Sequence, residues 1–131
     1  MTFWYLRAYK FIPMNTPENL STKLNALNET FNHSEEYFLL QKIQMQTTTV
    51  SSADKNRIKE RILDVYSSLF LSISLDKNIN VMITCVLSSM QFTSAAIAQI
   101  LNMEDSSVRS LKHRLKKKME PEVFSLFFEP K

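Results

Sequence analysis

The chain of 131 residues contains no glycine, where average usage of about 7 % would supply roughly nine. That absence excludes the P-loop, the GxGxxG dinucleotide turn, the GxSxG nucleophile elbow and the EF-hand loop, each of which depends on glycine. It also weighs against β-sandwiches and hairpin-rich barrels, whose tight turns call for positive φ. Cysteine is nearly absent as well. Cys85 stands alone, so there is no intrachain disulfide and no cysteine-based zinc site. Its apolar neighbours Ile83, Val86 and Leu87 read it as a buried, inert thiol. His33 and His113 lie 80 residues apart and have no metal-ligand spacing, so neither a metal nor a cofactor is expected. Glu35 and Glu36 read as helix-start charges and not as a catalytic pair. No nucleophile has a recognisable base partner, and the expectation is that the protein is not an enzyme.

A membrane-spanning run is also missing. Residues 78–103 carry no charge, yet Asn78, Asn80, Thr84, Ser88, Ser89, Gln91, Thr93, Ser94, Gln99 and Asn102 make the stretch too polar for a bilayer core. Residues 1–14 hold the aromatic cluster Phe3, Trp4 and Tyr5 but are interrupted by Arg7 and Lys10 and are too short to span. That aromatic start reads as a joint to a further segment more than as a free end. One free cysteine and no recognisable signal peptide lead to the expectation of a reducing, cytoplasmic setting.

What is present is ordinary globular material, 44 % hydrophobic and 22 % charged, which is enough for a real core. The expected fold is all-α, with turns made by Asn, Ser, Asp and Pro. Thr16-Pro17-Glu18 is a helix start, followed by Leu20, Leu24, Leu27 and Phe31 at helical spacing. Ser34 opens a second helix to about Gln46 through Phe38, Leu39 and Ile43. Residues 46–51 (QTTTVS) read as a linker. Ser51-x-x-Asp54 then caps a third helix with Ile58, Ile62, Val65 and Leu69 on one stripe. Both stripes read as intrachain core before dimer seam, since each spans fewer than two heptads. Asp76 is the expected cap of a fourth helix, with Ile79, Met82, Ile83, Val86, Leu87 and Met90 as its core stripe.

The charge distribution carries the functional signal. Residues 1–103 hold nine basic and eight acidic side chains, whereas residues 109–118 (RSLKHRLKKK) hold six basic and none acidic. Thr93 caps a short helix through Ile97, Ala98 and Leu101. Asn102-Met103-Glu104 forms the turn, with Asn102 suited to a left-handed helix end. A helix over 105–118 follows. At 100° per residue its Val108, Leu111, Leu115 and Met119 share one narrow face. Ser106, Ser110, His113 and Lys117 occupy the opposite face, flanked by Arg109 and Arg114. A helix that docks by aliphatic residues and turns cations outward, after a short turn from a preceding helix, has the helix-turn-helix pattern.

Residues 92–119 (FTSAAIAQILNMEDSSVRSLKHRLKKKM) resemble the helix-turn-helix of LuxR-type (GerE-like) regulators and the related fourth region of sigma factors. The resemblance rests on Phe92-Thr93, Ile97-Ala98, Leu101, Met103-Glu104, Ser107-Val108 and Lys118-Met119, with Leu75-Asp76 like the family's opening Leu-Thr. It implies a recognition helix at 105–118. Arg109, Ser110, His113 and Lys117 are then implied to face base edges, and Thr93, Ser94, Ser106, Lys112, Arg114 and Lys116 to approach phosphates. Two positions depart from the pattern. Gln91 stands where the family has a glycine, so the turn Met90–Phe92 is where the chain is expected to deviate most. Glu104 replaces the serine that caps the recognition helix and, with Asp105, sets negative charge near the expected phosphates.

The expected organisation is therefore a helical oligomerisation or partner region over 1–70 and a LuxR-like helix-turn-helix domain over 71–131. The C-terminal helix from Pro121 is a candidate support for dimerisation. The expected function is a sequence-specific DNA-binding transcriptional regulator, acting on double-stranded DNA as a homodimer and not at a membrane. The alternative is a protein-interaction module, a degenerate helix-turn-helix that binds a sigma factor or an RNA polymerase subunit.

Overall fold

The computed structural model describes residues 17–45, 50–71, 73 and 78–129. Among these residues the chain forms seven helices and no strand: α1 (Pro17–Asn32), α2 (Glu35–Gln44), α3 (Ser52–Leu71), α4 (Ile79–Ser89), α5 (Ser94–Leu101), α6 (Asp105–Lys118) and α7 (Pro121–Phe128). The fold is all-α. Thr16, Leu75, Asp76 and the aromatic cluster Phe3, Trp4 and Tyr5 lie outside the described residues.

The helices begin where local chemistry starts them. Ser34 accepts the Tyr37 amide at 3.2 Å ahead of α2, and Ser51 accepts the Asp54 amide at 3.1 Å ahead of α3. Each satisfies an amide that has no partner inside its helix. The cap of α4 is Asn78, whose side chain accepts the Asn80 amide, two residues later than Asp76. Helix α6 gives way to extended backbone at Met119, with ψ 151, and proline starts α7. Glu120, held extended by the following Pro121, has ψ 140, and Pro121 itself opens the next helix.

One hydrophobic core contains buried side chains from all seven helices, so the described parts of 1–70 and 71–131 share it. The stripes of α1 and α3 are spent inside the chain. Leu20, Leu24 and Phe31, and Ile58, Ile62 and Leu69, are all buried. Helix α4 is the axis. Every residue from Val81 to Ser89 is buried, with α3, α5, α6 and α7 packed around it. A single stripe is therefore the wrong description of α4. Ile79, expected on the core face, is 48 % exposed because it sits at the helix start beyond the surrounding layer. In α2 the core residues are Leu40 and Ile43, while Phe38, expected inside, is 62 % exposed and lies under the Lys42 ammonium, 5.2 Å from the ring centroid. Helix α2 also stops at Gln44, short of the expected Gln46.

Aromatic contacts tie the ends of the fold together. Phe31 meets Tyr37 and Tyr66 edge-on, each with centroids 6.0 Å apart. Phe70 of α3 stacks on Phe127 of α7 at 5.7 Å. Such pairs add about 0.5–1.5 kcal/mol beyond the burial itself. The tail helix α7 is thus partly committed to the intrachain core. Phe127 is fully buried, with Phe124 and Phe128 stacked and half-buried beside it. Polar groups inside the fold are mostly paired. Tyr66 donates to Asn28 at 2.5 Å and Asn28 donates to Ser89 at 3.4 Å, linking α1, α3 and α4. The hydroxyls of Thr84 and Ser88 on α4 are buried without a partner.

Candidate nucleic-acid interface

Helices α5 and α6 with the turn between them form a helix–turn–helix unit on the side of α4. Thr93 caps α5 by accepting the Ala96 amide at 3.2 Å. Ile97 and Ile100 are fully buried beneath the helix. At its end Asn102 takes φ 54 and ψ 45, the left-handed conformation. The amides of Asn102 and Met103 donate to the carbonyls of Gln99 and Ala98, which is the paired pattern of a Schellman motif. Helix α6 then starts at Asp105 with Glu104 before it, and Glu104 makes no side-chain cap bond. A carboxylate nevertheless suits the positive end of a helix.

Val108, Leu111 and Leu115 of α6 are buried, with Met119 just beyond the helix end. Burial of such side chains contributes roughly 1.5–3 kcal/mol each, and it fixes the helix rotation. Ser106, Arg109, Ser110, His113, Arg114, Lys116, Lys117 and Lys118 are consequently exposed. The residues expected at base edges, Arg109, Ser110, His113 and Lys117, therefore lie together on one outward face, with His113 three or four residues from each of the others. Arg109 is not isolated there. Its guanidinium pairs with Asp105 one turn earlier at 3.0 Å, both side chains being about half exposed.

The residues expected at phosphates fall into two groups. Ser106, Arg114 and Lys116 are exposed on α6. Lys112 turns toward the start of α5 and donates to the Ser94 hydroxyl at 3.0 Å. Burial draws its ammonium below the usual lysine value, against the attraction of Asp105. Thr93 is exposed, but its hydroxyl is occupied by the cap. Ser94 and Lys112 thus form a polar bridge between α5 and α6 as well as a cationic flank.

The turn before α5 is unexpectedly regular. Gln91, in place of glycine, takes φ 67, and the amides of Gln91 and Phe92 reach back to Ser88 and Leu87, both at 3.0 Å. This is a second Schellman motif, so the turn keeps its left-handed geometry where deviation was expected. Gln44 of α2 braces it. Its carboxamide accepts the Thr93 amide at 2.8 Å and donates to the Gln91 carbonyl at 3.5 Å. Lys55 of α3 reaches the other left-handed residue, donating to the Asn102 side chain at 3.2 Å.

A second charged cluster lies away from this face. Glu36, with its side chain 7 % exposed, is covered by Arg57 and Arg61, at 3.1 and 3.0 Å. Burial alone would raise the Glu36 pKa. Its own backbone amide and the two guanidiniums outweigh that and hold it below the ordinary carboxylate value. Glu36 is therefore more than a helix-start charge. Neither Gln44 nor Glu36 carries a local sequence signal for its role, because their partners lie 21 to 49 residues away. Cys85 is buried, and burial pushes its thiol well above the usual range. Among the described residues no three His, Cys, Asp or Glu side chains converge into a metal site, and no helix is long and apolar enough to cross a membrane. No family model, curated protein or solved structure matches the chain.

Proposed function

We propose that the protein binds double-stranded DNA by laying α6 in the major groove, as a sequence-specific transcriptional regulator of the kind its LuxR-like helix-turn-helix pattern suggests. The observation that carries this reading is the outward face of α6. Its apolar face is buried, and five cations, Arg109, Arg114, Lys116, Lys117 and Lys118, remain exposed along fourteen residues. The major groove admits one α-helix, and the phosphates beside it attract Lys and Arg. Arg109 and Lys117 supply donors suited to guanine O6 and N7, while Ser110 and His113 between them present smaller hydrogen-bonding groups. A homodimer on a two-fold site, with half-sites about 34–36 Å apart, completes this reading.

Replacing Arg109 and Lys117 together with alanine tests the assignment. Each good base contact is worth about 1–3 kcal/mol, so binding to a duplex selected by the wild type should fall at least about thirtyfold. The far-ultraviolet circular dichroism should stay unchanged, since both side chains are exposed. Undiminished binding would remove α6 as the reading helix.

One observation favours a second reading. Asp105 occupies Arg109, and Glu104 adds a further negative charge at the end of α6 that would approach DNA. A helix-turn-helix with that acidic start suits a basic protein surface, such as that of a sigma factor or polymerase subunit. Duplex DNA separates the two: binding that falls steeply with salt supports the first reading, and a flat response or no binding supports the second.

A further inference from the structure

We infer that Gln44 is a positioning residue for α6, and that with Lys55 it clasps the two left-handed turns at either end of α5 in place of the glycines this chain lacks. For DNA reading, the inference rests on the function proposed above. As a statement about the fold, it stands on four observations.

The only two positive-φ residues among those described are Gln91 and Asn102. They bracket α5, one before its cap and one after its last turn. A residue with a Cβ in this conformation is held about 1–2 kcal/mol above its ordinary state, less for asparagine, whose side chain bonds locally. Each of the two receives a side chain from the N-terminal helices. Gln44 bonds both the Gln91 carbonyl and the Thr93 amide, so one carboxamide spans the left-handed residue and reaches the cap of α5. Lys55 bonds Asn102. The neighbouring ring of Tyr37, also on α2, packs edge-on against buried Phe92 at 5.9 Å.

The clasp leads to the recognition face by short steps. Thr93, held by Gln44, is followed by Ser94, and Ser94 accepts the Lys112 ammonium of α6. A shift at the start of α5 therefore moves the residue that α6 is bonded to. Gln44 touches no nucleic acid in this account. It sets where α6 is presented, and so bears on discrimination between sequences more than on the general attraction to phosphate, which comes from exposed lysines and arginines.

Wild type, Gln44→Ala, Gln91→Gly and the double variant, each as the whole 131-residue chain, test this together. Two readouts apply: amide hydrogen exchange along Thr93–Leu101, and affinity for a duplex selected by the wild type against one of random sequence. Gln44→Ala is expected to speed exchange at the start of α5 roughly tenfold, as fits the loss of two hydrogen bonds. It should weaken the selected duplex by a similar factor, with the random duplex changed less than about twofold and its salt slope kept. Gln91→Gly, which takes the left-handed turn unaided, should restore most of the exchange protection and the discrimination. Lys55→Ala should have a smaller effect, confined to Asn102 and Met103. Unchanged exchange in Gln44→Ala, or effects of the two substitutions that merely add, would overturn the clasp. If the wild type binds neither duplex, the DNA reading falls, and exchange alone then upholds or overturns the clasp.

Discussion

At the scale of the residue, the best-defined electrostatic feature is Glu36. Its carboxylate is covered by Arg57 and Arg61, not sunk in the apolar core, which is why pairing prevails over desolvation. Replacement by glutamine should cost about 1–2 kcal/mol at neutral pH. That is below the loss for breaking a fully buried pair, because both arginines are half exposed. The pH dependence has a definite sign. The folded pKa lies under the ordinary 4.5, so the stabilisation is fully present above about pH 4.5 and is lost as pH falls through the folded value. Thermal melting of wild type and Glu36→Gln from pH 7 to pH 3 should show their difference shrinking only below about pH 4.5. A constant difference would mean that the ion pair does not supply it. Sequence alone identified Glu36 as a helix-start acid and no more. Arg57 and Arg61 follow it by 21 and 25 positions, and no local periodicity records such a pairing. Phe38 and Leu40 show another form of the same gap. They are apolar neighbours on a short helix, and which of them turns inward depends on what α3 offers from across the interface.

At the scale of the element, legibility was greatest where the pattern was longest. The four aliphatic positions of α6 and its neighbour fixed a helix face in advance, and Val108, Leu111, Leu115 and Met119 are all buried. The cap at Thr93 and the left-handed Asn102 were readable for the same reason: cap chemistry is local. Helix α4 was less readable, because an all-round buried helix has no polar face to give it a phase. The tail was readable as a helix but not in its packing. Phe127 is fully buried and stacked on Phe70, so Phe127→Ala should cost about 3–5 kcal/mol through loss of α7 from the core. Urea unfolding checks this. A loss under about 1 kcal/mol would show that α7 is not integral to the core. The turn at Gln91 lacks the residue that ordinarily makes such a turn, and what holds it comes from α2.

At the scale of the whole molecule, the missing glycines and the shared core belong together. A helix–turn–helix unit built without glycine relies on side chains from the N-terminal helices, and those helices in turn bury their stripes against α4. The chain should accordingly unfold in one transition by far-ultraviolet circular dichroism and by the near-ultraviolet signal of its aromatic core, which includes buried Tyr66, with no separate melting of 71–131. Two resolved transitions would contradict a common core. The charge distribution supports the proposed function, since exposed cations among the described residues are concentrated on α6, while outside 105–118 the chain carries ten basic and twelve acidic side chains. The most direct test is the affinity of the wild type for a DNA duplex measured between 50 and 200 mM salt. The four cations of α6 not assigned to bases, Lys112, Arg114, Lys116 and Lys118, predict for each protomer a log–log slope of about 3.6 and a fall of at least about a hundredfold. A flat response, or no binding to duplex at 50 mM salt, would contradict the account and leave α6 as a surface for protein partners.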